Sequence, residues 1–198
     1  MKKILTLILL SMTIFLFSCN DKTDEKKESF ISEYSYYYND ENIKDDWNWF
    51  NKTEFQDALN LKRVIKLEFS EVKEKIESGE EFVIYYGFNP EFYQCPYCVA
   101  ALPIAINSFD EIGMDIYYLD IYAMRTNNTL EYLYLLNQLQ KDSDFGEKIL
   151  VPTYVSYANG EVKKYHIATL KDQEGKYIKD LSDSQKEELK QIYQELVK

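Results

Sequence analysis

The stretch FVIYYGFNPEFYQCPYCVAALP, residues 82–103, decides the fold. It begins with a run of β-branched and aromatic residues at 82–88, which is typical of a buried central strand. A loop at 89–94 follows, and Cys95-Pro96-Tyr97-Cys98 then opens a segment whose apolar residues at 99–109 have helical spacing. The stretch therefore predicts a strand, a loop and a helix that carries two cysteines in its first turn.

The segments on either side continue this alternation of strands and helices. A helix start at Thr53 precedes the first strand. From there the pattern predicts a strand at 62–69, a helix at 70–79, the central strand and helix, a strand at 116–122, a helix at 128–141, strands at 151–157 and 161–167, and a helix at 182–197. Asn159-Gly160 predicts a tight hairpin between the last two strands. The predicted order from residue 62 is β-α-β-α-β-α-β-β-α.

The N-terminus has the features of an export signal. A positively charged start is followed by a largely apolar run at 4–17, which as a helix would span about 21 Å and fall short of the ~30 Å bilayer core. Leu16-Phe17-Ser18-Cys19 resembles the bacterial lipobox. The resemblance implies a signal peptide at 1–18, a lipid on Cys19 and an extracytoplasmic location at the outer face of the cell membrane. An ordinary secretory signal with an incidental Cys19 is the alternative.

Residues 19–46 are predicted to be a flexible acidic tether. Between 20 and 46 there are nine acidic and four basic side chains, and such a composition favours a solvated chain. The tyrosines at 34, 36, 37 and 38 either dock on the domain or reflect a chain with 18 tyrosines, and we favour the second interpretation. Trp47 begins the predicted folded domain, 47–198, which no repeat or Pro/Gly-rich linker divides.

Charge and composition exclude several classes of function. The chain has 34 acidic and 23 basic side chains, a net charge of −11, and no basic stripe, which argues against nucleic-acid binding. One histidine and three cysteines leave little for a zinc site, since His166 lies far from the cysteine pair in sequence. We expect no metal, no cofactor and a monomer. A purely structural disulfide remains an alternative for the pair, and His166, Asp110 and Asp120 are interpreted as ordinary structural residues.

Three further motifs carry a resemblance to a known family. Pro103 follows Cys98 by five residues, Val151-Pro152-Thr153 is a hydrophobic-Pro-Thr signature, and Asn159-Gly160-Glu161 follows it. Together with the cysteine pair, these motifs resemble the thioredoxin superfamily over residues 62–198. The resemblance implies an α/β, thioredoxin-like fold with a central mixed sheet flanked by helices, an N-terminal helical extension, and a cis Pro152 facing the cysteines. Within the superfamily the chain is most similar to bacteriocin-transport accessory proteins.

The position of the cysteines predicts their roles. A cysteine at a helix N-terminus meets free N–H groups and a positive dipole end, which lower its pKa from the usual value of about 8.5. Cys95 is therefore the predicted nucleophile, and Cys98 the thiol that resolves the mixed disulfide. Substrate binding is assigned to Pro96 and Tyr97, and by resemblance to Val151 and Pro152.

These assignments predict a membrane-anchored thiol-disulfide oxidoreductase that acts on cysteines of exported proteins or peptides and exchanges electrons with a membrane partner. The alternative is an accessory or chaperone-like module that assists secretion of a peptide such as a bacteriocin. A solute-binding lipoprotein would need a larger chain.

Two departures from thioredoxins bear on the mechanism. Tyr85 stands where thioredoxins have a buried Asp that accepts the proton of the resolving thiol, so Glu81, Glu91 or water is expected to take that role. The dipeptide Pro96-Tyr97 is typical of glutaredoxins and suggests a potential nearer about −200 mV than the −270 mV of thioredoxin. The glutaredoxin Gly-Gly and Asp cluster after the proline is missing, so glutathione is not predicted as the dedicated partner.

Overall fold

The structure is a computed structural model that describes residues 20–141 and 145–198. The helices in these ranges are α1 (Asn20–Tyr34), α2 (Lys52–Asn60), α3 (Phe69–Glu77), α4 (Pro96–Glu111), α5 (Tyr122–Thr126), α6 (Leu130–Gln140) and α7 (Asp183–Glu195). The strands are β1 (Val64–Lys66), β2 (Phe82–Gly87), β3 (Ile116–Asp120), β4 (Thr153–Ala158) and β5 (Glu161–Ile167). Two short 3-10 helices, Ser35–Tyr38 and Asp40–Asn42, lie between α1 and α2.

The strands of the described residues form one mixed sheet in the order β1-β3-β2-β4-β5. β1, β3 and β2 are parallel, and α3 and α4 supply the crossovers that parallel strands need. β4 and β5 are antiparallel to their neighbours, and Asn159 and Gly160 turn the chain between them with positive φ angles of 56° and 77°. This topology is a thioredoxin-like α/β fold, which confirms the predicted fold class.

Helices cover both faces of the sheet, and β2 lies buried at its centre. Because side chains alternate along a strand, Val83 and Tyr85 join the core beneath α2, α4 and α7, whereas Phe82, Ile84 and Tyr86 join the core beneath α3 and α6. The carboxyl end of β2 at Gly87 leads into the loop before α4. The sheet therefore fixes the point from which the chain approaches the cysteines.

The prediction of a flexible tether at 19–46 is wrong over its described part. Phe30 and Tyr34 lie one helical turn apart on α1, and Tyr37 follows in the first 3-10 helix; each is 1% exposed and belongs to the core beneath α4. Several of the charged side chains in this segment form ion pairs with the domain, such as Lys27 with Asp115 at 3.0 Å. The folded domain thus includes residues well before Trp47.

Two smaller differences concern element boundaries. The strand predicted at 62–69 covers only Val64–Lys66, because Glu68 already acts as the N-cap of α3 in a capping box with Glu71. The short helix α5 was not predicted; it begins directly after β3, where the carboxylate of Asp120 accepts the N–H of Tyr122 at 2.9 Å. From residue 62 onward the strands and helices follow the predicted order, with α5 added between β3 and α6.

Candidate thiol-disulfide site

The two cysteines lie at the start of α4 and are joined by a disulfide. Cys95 is the N-cap residue and has an extended backbone (φ −101°, ψ 105°). Pro96 lies in the first helical turn, where a backbone N–H has no partner within the helix, so the missing N–H of proline costs no hydrogen bond. The N–H of Cys98 donates a hydrogen bond to Cys95 Sγ at 3.1 Å. The sulfur of Cys95 therefore occupies the acceptor position of an N-cap, where a negative charge is stabilised once the disulfide is reduced.

The segment before β4 completes the immediate surroundings of the disulfide. The Val151-Pro152 peptide bond is cis, and the carbonyl oxygen of Val151 lies 3.7 Å from Cys95 Sγ. Pro152 is buried, and its carbonyl accepts the N–H of Ala168 at 2.6 Å. Tyr97, in contrast, turns its ring toward Tyr177, edge to face at 6.2 Å. The structure thus brings Val151 to the predicted cysteine pair.

Two of the predicted proline positions also lie in or beside α4. Pro96 is half-buried in its first turn, and Pro103 is buried within the helix, seven residues further along. Both cysteines are themselves covered, with Cys95 3% and Cys98 1% exposed. The sulfur atoms are therefore shielded from bulk solvent by the elements that position them.

Tyr85 is a polar residue of the buried central strand β2, and it belongs to the core beneath α4. Its side chain is fully buried, and its hydroxyl lies 2.9 Å from the hydroxyl of Tyr34, which donates to the carbonyl of Phe88 at 3.1 Å. A Cβ at Gly87 would overlap the Tyr85 ring, so glycine there leaves room for the phenol to lie along the strand. Burial raises the pKa of Tyr85, and the phenol stays neutral and hydrogen-bonded.

The two carboxylates predicted as proton acceptors for the resolving thiol lie at the surface. Glu81 and Glu91 are both exposed. α1 contributes a buried carboxylate: the side chain of Glu33 is 5% exposed, accepts the hydroxyl of Tyr118 at 2.7 Å and pairs with Lys66. Burial raises the pKa of Glu33 even though both partners oppose that effect.

Sequence reasoning missed Glu33 because residues 19–46 were treated as solvated. The available signal was the i, i+4 spacing of Phe30 and Tyr34, which marks one helix face with a small apolar stripe. The excess of charge around that stripe concealed it. Gln94, which directly precedes Cys95, was missed for the same reason, since its partners Tyr36 and Asn42 belong to this segment.

The remaining residues weighed from the sequence lie away from the disulfide or have structural partners. Asp110 accepts the Arg63 Nε–H at 2.6 Å. Asp120 accepts the N–H of Tyr122, and burial raises its pKa. His166 lies on β5, where burial lowers its pKa. Cys19 and the predicted signal peptide, residues 1–18, lie outside the described residues.

The described ranges also bear on metal and membrane sites. Within 20–141 and 145–198, no group of three or more His, Cys, Asp or Glu side chains is arranged to hold a metal ion. None of the helices in these ranges is long and apolar enough to cross a membrane.

Comparison with known proteins adds distant structural likenesses. No family model matches the chain, and no curated protein matches it. Among solved structures, it is similar to a thioredoxin-fold protein provisionally described as an oxidoreductase, with 19% identity, 58% of this chain and 86% of that chain covered, and a TM-score of 0.38. It is also similar to thioredoxin O2 from Arabidopsis thaliana in the oxidized state, with 14% identity, 69% and 96% covered, and a TM-score of 0.39.

The strand order gives the described residues a thioredoxin-like fold, and the start of α4 carries a disulfide between Cys95 and Cys98. The site holds its two sulfur atoms at the helix end that stabilises a thiolate. What this arrangement can do chemically is thiol-disulfide exchange.

Proposed function

We propose that this protein is a thiol-disulfide oxidoreductase, held at the outer face of the cell membrane by a lipid on Cys19, that acts on cysteines of exported proteins or peptides. The observation that carries the proposal is the position of Cys95 Sγ, which accepts the N–H of Cys98 at the N-terminus of α4 while it is bonded to Cys98 Sγ. A structural disulfide does not require its sulfur to sit at the thiolate-stabilising end of a helix.

The exchange runs in two steps when the reduced protein meets a disulfide. The Cys95 thiolate attacks one sulfur of the substrate disulfide, a mixed disulfide forms, and the other substrate sulfur leaves as a thiolate and takes up a proton. The Cys98 thiol loses its proton and attacks Cys95 Sγ, which restores the disulfide seen in the structure and releases the second substrate sulfur. Two electrons thereby pass from the protein to the substrate. A membrane thiol partner then reduces the Cys95–Cys98 disulfide again. The same steps in reverse oxidise a substrate dithiol.

The anchor is supported by the sequence at 16–19, and the packing of α1 indicates where such an anchor would hold the domain. α1 begins at Asn20, one residue after Cys19, and packs on the domain through Phe30 and Tyr34. A lipid on Cys19 would therefore hold the domain close to the bilayer rather than at the end of a long tether. Such a placement suits a protein that receives electrons from a membrane partner.

Turnover of insulin disulfides with dithiothreitol as the electron donor tests the proposed activity. We expect the wild-type protein to accelerate reduction and Cys95→Ser to fall to the uncatalysed rate, because serine cannot form the mixed disulfide. Cys19→Ser is the control: it should keep turnover in solution and lose its association with membranes. Equal rates for wild type and Cys95→Ser would contradict the proposal.

Exposed aromatic residues beside the disulfide favour a second candidate, an accessory or chaperone-like module that assists peptide secretion. Phe92 is 60% and Tyr93 51% exposed, and they immediately precede Gln94 and Cys95. Phe92 stacks on Tyr122, so the ring is held in place at the surface. Neighbouring exposed rings form an apolar patch, and contiguous apolar patches are a feature of surfaces that contact other proteins.

Binding of a cysteine-alkylated insulin B chain separates the two candidates, because this probe cannot exchange disulfides. A docking module binds it as well after Cys95→Ser and Cys98→Ser as before, and loses binding after Phe92→Ala and Tyr93→Ala. In cells, loss of all activity in the double serine variant would rule out pure docking.

A further inference from the structure

The segment between α1 and α2 reaches the residue that precedes the nucleophile. The Nε2 atom of Gln94 donates to the hydroxyl of Tyr36 at 3.1 Å and to the carbonyl of Asn42 at 2.5 Å. A side-chain amide has two N–H groups, so both are used. Gln94 is thereby tied to a part of the chain that is 52 to 58 residues away in sequence.

The two acceptors are themselves held together. Asn42 Nδ2 donates to the carbonyl of Tyr36 at 2.8 Å, which fixes these two residues relative to each other. Asn42 ends the second 3-10 helix, and a carbonyl at a helix end lacks a partner along the chain. Gln94 donates to that carbonyl, so the contact holds Gln94 in place and also gives the Asn42 carbonyl its partner.

The core anchors this pair of acceptors. Tyr36 packs edge to face on Tyr37 at 5.6 Å, and Tyr37 is buried against Trp47, Phe50 and Phe55. Burial raises the pKa of Tyr37, and an interaction with the backbone of Cys95 opposes that effect. One segment therefore contacts the side chain of residue 94 and the main chain of residue 95.

We propose that Tyr36, Asn42 and Gln94 form a clamp that positions Cys95 for thiol-disulfide exchange, with Gln94 as the positioning residue. This inference rests on the proposed function. The backbone of Cys95 must stay extended for its sulfur to accept the N–H of Cys98, and the clamp holds the residue directly before it. Without the clamp the loop at 89–94 gains freedom, and the thiolate spends less time at the N-cap position. The reduced form then loses stability relative to the disulfide.

The reduction potential of the Cys95–Cys98 couple, measured by equilibration of the full protein with glutathione, tests the clamp. Gln94→Leu removes both hydrogen bonds of the side chain. We expect it to shift the equilibrium about three- to tenfold toward the disulfide, which is no more than the net worth of those two bonds and corresponds to a potential lower by about 15 to 30 mV. The pH midpoint of Cys95 alkylation in the reduced protein should rise by about half to one unit. Neither readout depends on turnover of any substrate, so failure here is distinguishable from failure of the proposed function.

Tyr36→Phe keeps the ring and removes one acceptor, so its shift should be smaller and in the same direction. The double variant should match Gln94→Leu alone, because both changes remove the same hydrogen bond. Tyr38→Phe and Gln191→Leu are matched controls, and both should leave the potential unchanged. If Gln94→Leu does not fold, Tyr36→Phe carries the test.

Three results would overturn the clamp. The first is a Gln94→Leu variant with an unchanged potential, whatever its unfolding temperature. The second is a double variant whose shift equals the sum of two independent shifts. The third is an equal shift in Gln191→Leu, which lies on the exposed side of α7.

Discussion

Truncation of Phe30 measures how far the segment before Trp47 belongs to the folded domain. Phe30 is 1% exposed, stacks on Tyr34 with ring centroids 4.4 Å apart and meets Tyr118 of β3 edge to face at 5.0 Å. Removal of a buried phenylalanine ring costs about 3 to 5 kcal/mol of unfolding free energy, since it leaves a cavity and deletes these ring contacts. For a chain of this size, that loss lowers the melting temperature by about 6 to 20 °C.

Phe92→Ala is the matched control, because the same atoms are removed from a ring that is 60% exposed. We expect Phe92→Ala to change the unfolding free energy by less than about 1 kcal/mol. Urea titration of both variants, followed by circular dichroism, gives the two values side by side. If Phe30→Ala also costs less than about 1 kcal/mol, α1 does not contribute to the core and the account of this segment is refuted.

Three other predictions concern residues near the sheet. Gly87→Ala should cost about 1 to 3 kcal/mol in urea titration, because its Cβ meets the Tyr85 ring, whereas Gly146→Ala, with open space around it, should be neutral. His166 is the only histidine, so its ring resonance in an NMR titration should show a midpoint below 6.5. The unfolded chain then takes up this proton at a higher pH than the folded protein, so the free energy of unfolding should decline as pH falls from 6.5 to that midpoint. His166→Gln should reduce the decline. Burial raises the pKa of Glu33, so its ionisation lowers the free energy of unfolding as pH rises from about 4.5 through that pKa. Glu33→Gln should flatten the plot of unfolding free energy against pH in this range. An unchanged plot would contradict the burial of Glu33.

The fold could be predicted because its determinants are local and strongly patterned. Residues 82–88 are continuously apolar or aromatic, the cysteine pair marks the start of a helix, and Asn159-Gly160 specifies a hairpin. Each of these signals depends on residues within about ten positions of one another. The candidate site could be predicted for the same reason, because Cys95, Pro96 and Cys98 lie within four consecutive residues.

The N-terminal part could not be predicted because its partners are distant in sequence. Glu33 pairs with Lys66, and Tyr118 donates to Glu33 from 85 residues away. From composition alone such charged residues are predicted to be solvated, because their partners can be identified only from the folded structure. Tyr85 shows the same limit: its identity was visible, but the Tyr34 hydroxyl that satisfies it lies 51 residues earlier.

Capture of the mixed disulfide tests the central claim most directly. With Cys98→Ser and a disulfide-linked peptide, we predict an adduct through Cys95 that stays because the resolving thiol is gone, detected by mass spectrometry and released by dithiothreitol. Cys95→Ser should give no adduct under the same conditions. Equal adduct formation by both variants, or none with Cys98→Ser, would contradict the assignment of Cys95 as the nucleophile of a thiol-disulfide oxidoreductase.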